Sequence, residues 1–242
     1  MMVGLDKSFK PIWVYKMLQL SKPGLEFKAF EEEFFNIIEY SGLKSKKNVL
    51  TIIRRYYLKL EKKDGKEYFA ENYLHNLSLE YSFESLKPAL FFVFLVNCPI
   101  AQFLQSKINR HLSDQERIDN VILHKYAKKV YGDRKIVEFA VSYYLKILSY
   151  FDIVKIIKRK YYWQNKKLDI SNPILKEILI LYAHIRDDFE IDINRLHDEI
   201  SFSMFNLDNL ESVLMEYNSI EWAYQKRVDS RKIIITKKYK KT

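Results

Sequence analysis

The sequence predicts a mainly α-helical protein, a helical bundle with helix-turn-helix and winged-helix-like units that carry one or two short β-hairpins. Three observations support this class. Gly and Pro number only five each in 242 residues, which is too few for the many turns of an all-β sandwich or barrel. Apolar residues make up 48% of the chain and recur mostly at helical spacing. Two segments that follow helical runs instead alternate with a period of two, which is typical of strands.

The first segment, 1–110, is expected to form a helical domain. Gly42 lies between the second and third predicted helices, where it can take the left-handed geometry that ends a helix. Two helices joined by a short Gly-containing turn have a helix-turn-helix shape. Asp64-Gly65 marks a break before three further helices. The predicted helices are Ser8–Leu20, Glu26–Tyr40, Lys46–Lys62, Glu67–Leu77, Leu86–Asn97 and Pro99–Arg110.

The second segment, 111–172, is expected to be winged-helix-like. A helix ends near Tyr131-Gly132, and a second helix follows at Arg134–Tyr150. Alternation from Ile153 onward predicts two short strands around a turn at Gln164-Asn165-Lys166. The third segment, 173–242, is expected to contain helices and then a second hairpin with strands Ile220–Val228 and Lys232–Tyr239. The three segments can pack as one body.

The charge is unevenly distributed along the chain. There are 41 basic and 31 acidic residues, a formal net charge of +10. Basic clusters lie at 44–59, at 155–167 (with Tyr161, Tyr162 and Trp163) and at 226–241, whereas acids concentrate at 187–221. Such segregation is typical of a phosphate-binding face, because cations that contact phosphates release counterions. The alternatives are a general compositional bias, aromatic residues that only pack a sheet, and a solvated Lys-rich end.

The predicted nucleic-acid contacts come from the basic helices and the first predicted hairpin. On the helix Arg134–Tyr150, the residues Lys135, Glu138, Ser142 and Lys146 share a polar face. Asn and Gln are sparse there, which favours phosphate contact over base reading. The candidate residues are Lys44, Lys46, Lys47, Arg54, Arg55, Arg134, Lys135, Lys158, Arg159, Lys160, Tyr162, Trp163, Lys166 and Lys167.

The sequence gives little support for an enzyme, a cofactor or a metal site. With five glycines there is no Gly-rich phosphate loop, and the five histidines show no metal-ligand spacing. The acids of Asp187–Asp192 fit a loop and helix start better than a metal cluster. The apolar run Ala89–Val96 is far shorter than the ~20 residues that cross a bilayer. The single cysteine, Cys98, is typical of a reducing, cytoplasmic compartment.

The order of these features resembles a known family. The first helical pair runs through Ser45-Lys46-Lys47-Asn48, the apolar helix Ala89–Val96 leads into Ile100–Ile108, and Leu112-Ser113 opens the next unit. Tyr131-Gly132 then precedes the helix that ends in Leu148–Ile153. In this order the chain resembles the small A component of BREX phage-defence systems. The resemblance implies a helical DNA-binding protein without catalytic residues, acting in host defence beside a methyltransferase and other defence-system proteins.

The main hypothesis is therefore a non-catalytic protein that binds double-stranded DNA and no membrane. A second hypothesis is an RNA-binding or transcription-regulatory protein, since Tyr161, Tyr162 and Trp163 could stack on bases. A third is a structural adaptor whose acidic C-terminal segment docks on a protein partner.

Overall fold

The computed structural model describes residues 4–111 and 115–236. Within these ranges the chain is mainly helical and carries small antiparallel sheets, which confirms the predicted class at that level. The chain divides into two compact units, Met1–Lys166 and Lys167–Thr242. The predicted segments 1–110 and 111–172 belong mainly to the first unit.

The first unit opens with a helix, an extended segment, further helices and a hairpin. The extended segment 24–26 pairs with the second hairpin strand: the Gly24 amide donates to the Phe69 carbonyl at 2.8 Å, and the Phe69 amide donates to the Leu25 carbonyl at 2.9 Å. The elements are α1 (Pro11–Leu20), a 3₁₀ helix (Phe27–Phe30), α2 (Glu31–Ile37), α3 (Leu43–Tyr56), β1 (Leu60–Lys63) and β2 (Lys66–Phe69).

The β1–β2 hairpin corrects two predicted helices. The helix predicted over Lys46–Lys62 ends at Tyr56, and the one predicted from Glu67 is a strand at its start. Asp64 and Gly65 both have positive φ, 50° and 75°, as a two-residue hairpin turn requires. The prediction for Gly42 is also wrong, because its φ is −90° and it caps the start of α3.

Three helices form the apolar centre of this unit: α4 (Tyr73–Glu80), α5 (Phe83–Asn97) and α6 (Pro99–His111). The Ser82 hydroxyl accepts from the Ser85 amide and caps α5, whose residues 89–95 are buried. The Phe94 ring lies 5.2 Å from that of Phe9 and 6.3 Å from that of Tyr144. In the described ranges, no single helix has the length and apolarity needed to cross a bilayer; α5 and α6 meet that test only as a pair, bent by 103°.

The second half of the first unit repeats the order helix, strand, two helices, hairpin. After α6 come β3 (Arg117–Ile118), α7 (Asn120–Tyr131), α8 (Lys135–Tyr150), β4 (Val154–Ile157) and β5 (Lys160–Trp163), and the sheet order is β3-β5-β4.

A hairpin is present in this segment, but it is not the predicted one. β4 and β5 both lie within Ile153–Trp163, which was predicted as a single strand, and the turn is at Lys158-Arg159 and not at Gln164-Asn165-Lys166. The second predicted strand, Lys166–Ile170, forms only an isolated bridge at Leu168. β5 pairs with β3 as well as β4, with Ile118 opposite Tyr161. This second pairing is non-local, so the local turn residues did not indicate it.

The second unit has the same order of elements. Its strands pair in the order β6-β8-β7, and the predicted hairpin strands agree with β7 and β8, although Tyr239 lies outside the described residues. The elements are α9 (Asn172–Arg186), β6 (Glu190–Asp192), a 3₁₀ helix (Ile193–Asp198), α10 (Leu210–Glu216), β7 (Trp222–Lys226) and β8 (Arg231–Ile235).

The described residues thus contain one arrangement three times. In each, a helix is followed by a short extended segment, two helical segments and a hairpin, and the extended segment pairs with the second hairpin strand. This arrangement places three hairpins in comparable positions, β1–β2, β4–β5 and β7–β8, so that their tips and charges can be compared directly.

Candidate nucleic-acid interface

The tip of the β4–β5 hairpin is a two-residue turn built from cations. Ile157 pairs with Lys160 across the hairpin, and Lys158 and Arg159 connect them with φ values of 47° and 63°. Both side chains and that of Lys160 are exposed. The geometry therefore presents three consecutive positive charges to solvent.

This turn is unfavourable for the residues that form it. A turn with positive φ at both central positions favours Asn and Gly, because the Cβ of other residues clashes with the following carbonyl at a cost of about 1 kcal/mol or more for each. Lys158 and Arg159 both have such a Cβ. Strained backbone of this kind clusters at functional sites, which makes the tip a candidate site.

The sheet behind the tip has one packed face and one solvent face. Ile118 and Val154 are buried, and side chains alternate between faces along a strand. Tyr162 lies between Arg117 and Lys155 in the register, so these three share the other face, where both cations are exposed and the tyrosine is half-buried. A tyrosine ring flanked by two cations is thus aimed away from the core.

We name five residues the hairpin cations. Among the described residues, none of the five forms an ion pair with a carboxylate. Unpaired cations on one surface create a positive field that attracts a polyanion. The hairpin cations are Arg117, Lys155, Lys158, Arg159 and Lys160.

The helix before this hairpin, α8, is exposed mainly in its N-terminal half. Lys135, Ile136, Phe139 and Ser142 are exposed there. Further along, the Lys7 ammonium lies over the rings of Tyr40 and Tyr143, at 5.6 and 5.7 Å from their centroids. The first half of α8 is therefore the part that a large ligand can reach.

The predicted polar face of α8 is present in part. Lys135 and Ser142 are exposed, but Glu138 is held by Lys128 at 2.6 Å and Lys146 is half-buried. Partial burial lowers the pKa of Lys146, but its pKa is raised overall, because Tyr150, with smaller contributions from Tyr40 and Tyr161, outweighs that effect. Lys146 consequently keeps its positive charge at neutral pH.

The predicted basic cluster on α3 is divided by its contacts. Lys44 and Lys47 are exposed. Lys46 donates to the Phe35 carbonyl at 2.6 Å, Arg55 donates to the Gly4 carbonyl at 3.4 Å, and Arg54 forms a salt bridge with Glu67. Three of the five candidates on α3 therefore already serve the fold.

The remaining candidates lie at the start of α8 and at or after the end of the second hairpin. Arg134 is exposed and donates to the Tyr131 carbonyl at 3.0 Å. Trp163 is half-buried at the end of β5, opposite Val154. Lys166 and Lys167 are exposed after the hairpin.

Three of the four described cations of the C-terminal basic hairpin, β7–β8, pair with acids, whereas the exposed Arg227 in its loop forms no such ion pair. Glu211 on α10 accepts from Lys226 at 2.7 Å and from Arg231 at 3.1 Å, and Lys232 pairs with Glu190 at 2.8 Å. Lys226 lowers the pKa of Glu211 through this hydrogen bond, so the carboxylate stays ionised. The predicted tail cluster at Lys237–Lys241 lies outside the described residues.

Sequence reasoning missed three residues of this surface. Arg117 lies on β3, a two-residue strand that no local pattern indicates, and it joins the sheet only through its pairing with β5. Ile136 and Phe139 on α8 were not among the predicted contacts but are 39% and 45% exposed. An apolar pattern alone does not show which side of a wide apolar stripe lacks a neighbour.

Among the described residues, no group of three or more His, Cys, Asp or Glu side chains is arranged to hold a metal ion. The comparisons with known proteins add no relative. No protein-family model matches the chain, and no curated protein and no solved structure is significantly similar to it.

Proposed function

We propose that this protein binds double-stranded DNA without catalysing a reaction, and that the part from α6 to β5 makes the main contact. The observation that carries the proposal is the strained, unpaired cationic tip at Lys158, Arg159 and Lys160. Duplex DNA carries a dense line of phosphates, and each cation that neutralises a phosphate releases a counterion. The hairpin cations supply such contacts without first breaking an ion pair.

The order of elements supports this use of the surface. A helix, a short strand, two helices and a hairpin, with the short strand beside the second hairpin strand, is the order expected of a winged-helix unit. In such a unit the second of the two consecutive helices enters the major groove, led by its N-terminal half. Here that helix is α8, and its exposed half begins at Lys135. The hairpin β4–β5 would be the wing.

A titration with matched variants tests this function. We expect the combination Lys158→Ala, Arg159→Ala and Lys160→Ala to weaken duplex binding at low salt by about 100-fold. The slope of log affinity against log salt should become shallower by about 2.7, because three phosphate contacts are lost. Fluorescence anisotropy with a labelled duplex of about 20 base pairs measures both quantities.

The matched control is the hairpin β1–β2, with Lys62, Lys63 and Lys66 changed to Ala. Two of these lysines already pair with acids, Lys63 with Glu61 and Lys66 with Glu26. We expect an effect below about threefold. If the parent protein binds no duplex at low salt, or if both triple variants lose the same affinity, the proposal is wrong. Tighter binding of single-stranded RNA of equal length would favour the RNA alternative.

We further propose that this DNA binding serves phage defence. This role rests on the resemblance of the order of elements to the small A component of BREX systems. Deleting the gene should lower resistance to phage by at least about tenfold in plaque counts, and the tip variant should fail to restore it. Restoration by the tip variant would separate the defence role from DNA binding.

A further inference from the structure

The tip of β4–β5 combines cations with exposed apolar side chains. Ile156 and Ile157 immediately precede Lys158, and each is 43% exposed. Large β-branched side chains at the end of a strand usually pack against a neighbour, and these two remain in contact with water. Because successive side chains of a strand alternate between faces, the run from Ile156 to Lys160 offers one exposed apolar side chain on each face of the hairpin, beside three positive charges.

This combination matches the chemistry of the DNA minor groove. Proteins that bind there use Arg and Lys against its walls and insert apolar side chains such as Ile between base steps. The groove is narrow and most negative in A·T tracts, which attract inserted Arg and Lys, and TA steps unstack most easily. A cationic tip with an isoleucine pair gains most where the DNA is rich in A·T pairs.

The exposed half of α8 can read the major groove in part. Lys135 can donate to guanine, Ser142 can hydrogen-bond to several bases, and Phe139 can contact the thymine methyl group. The helix contains no Asn or Gln, the residues that pair with adenine. A preference for A·T pairs that comes from the hairpin must therefore be separated from one that is read by α8 in the major groove.

We propose that the β4–β5 hairpin enters the minor groove and that the protein selects A·T-rich duplex DNA through Arg159, Ile156 and Ile157. This inference rests on the proposed DNA binding and adds the groove and the class of site. The guanine amino group, which projects into the minor groove of G·C pairs, blocks the approach of the tip.

Three duplexes of equal length distinguish the grooves. One has an A·T core, one a G·C core, and one an inosine·cytosine core, which shows the minor groove of A·T and the major groove of G·C. We expect the A·T and inosine·cytosine duplexes to bind equally, about tenfold more tightly than the G·C duplex, in line with the 1–3 kcal/mol that a base mismatch typically costs. Competition against one labelled duplex at fixed salt measures the ratios.

A double variant tests whether the A·T preference comes from the hairpin. Ile156→Ser with Ile157→Ser keeps the three tip cations, so its salt slope should match the parent while the A·T preference falls below about threefold. The control is Leu43→Ser with Leu79→Ser, which removes two apolar side chains elsewhere that are more exposed than the isoleucines and should keep the preference. Thermal unfolding of each variant shows whether its fold persists.

The outcomes separate the two proposals. Binding of all three duplexes with equal affinity overturns this inference and leaves DNA binding intact. An inosine·cytosine duplex that behaves like G·C also overturns it, because the protein would then read the major groove. No binding to any duplex at low salt removes the proposed function itself.

Discussion

The two C-terminal hairpins, β4–β5 and β7–β8, occupy the same place in the same order of elements, yet their cations differ in whether they form ion pairs with acids. In β7–β8, Glu211 holds Lys226 and Arg231, and Glu190 holds Lys232. In β4–β5, none of the hairpin cations has an acidic partner among the described residues. Both segments are basic in the sequence. Under the proposed function, the surface available to a polyanion is set by which charges are unpaired, rather than by how many charges a segment has.

The turn residues at the tips of the hairpins also differ, and β4–β5 again stands apart from the other two. β1–β2 turns through Asp64-Gly65, a pair suited to positive φ. β7–β8 uses a longer loop closed by a hydrogen bond from the Arg227 amide to the Ser230 carbonyl, at 2.8 Å. Only the Lys158-Arg159 tip, of the three hairpins described, is a two-residue turn without Asn, Asp or Gly. Of the three described hairpins, the one with the most unpaired cations is also the one with the strained turn.

The largest effects on stability and DNA affinity are expected when β4–β5 is given a favourable turn. Lys158→Asn with Arg159→Gly should raise the free energy of unfolding by about 1 kcal/mol or more, because both residues suit positive φ. The same variant should bind duplex DNA at least about tenfold more weakly, since two phosphate contacts are lost. Denaturant unfolding and anisotropy measure the two effects.

A stabilised variant with weaker binding would show that the tip serves a ligand at the expense of the fold. The control is Asp64→Asn, which keeps a turn-forming residue in β1–β2 and should alter neither quantity appreciably. Unchanged affinity in the Asn-Gly variant would contradict the assignment of the tip.

A smaller effect is expected from freeing the cations of β7–β8. Glu211→Gln removes the carboxylate shared by Lys226 and Arg231. If ion pairing with acids decides which hairpin can contact DNA, the variant should bind duplex DNA about threefold more tightly at low salt. Its salt dependence should also be steeper. The control Glu216→Gln lies at the end of the same helix, where the carboxylate accepts from Asn172 and not from a cation. Equal effects of both variants would show that only net charge matters.

The smallest effect concerns acid stability. The hydrogen bond from Lys226 lowers the pKa of Glu211 below its usual value of 4.5, so its contribution to stability is present above the usual pKa and lost as the pH falls through the lowered one. The wild-type free energy of unfolding should therefore fall between about pH 5 and about pH 3 by more than that of Glu211→Gln. Denaturant titrations at the two pH values give the difference; parallel curves would mean that the bridge adds nothing.

The sequence predicted the helical centre well, because its signals are local. Ser82 caps α5, Pro99 opens α6, and the buried run between them has no polar interruption. The β1–β2 hairpin was missed because Leu60–Lys63 contains good helix formers, and only its pairing with β2 makes it a strand. Helix propensity is weak enough for such tertiary contacts to override it.

The candidate site was predictable in composition but not in geometry. The run Lys158–Lys160 was identified from its charge, whereas its turn was placed at Gln164-Asn165-Lys166, where the residue types favour turns. Arg54 was assigned to the site although Glu67 neutralises it. Ion pairs between distant parts of the chain, like the register set by β3, depend on tertiary structure that no short pattern contains.

The left-handed backbone at Lys158 and Arg159 also predicts how these two residues should change during evolution. Selection for stability alone would replace this pair by Asn and Gly, which need few nucleotide changes and remove the strain. A lineage that lost its polyanionic ligand should therefore drift toward Asn-Gly at the tip, and a lineage that kept it should retain two long cations. If the proposed DNA binding holds, the residue pair at this one turn is a marker, readable in any relative's gene, of whether that binding is still under selection.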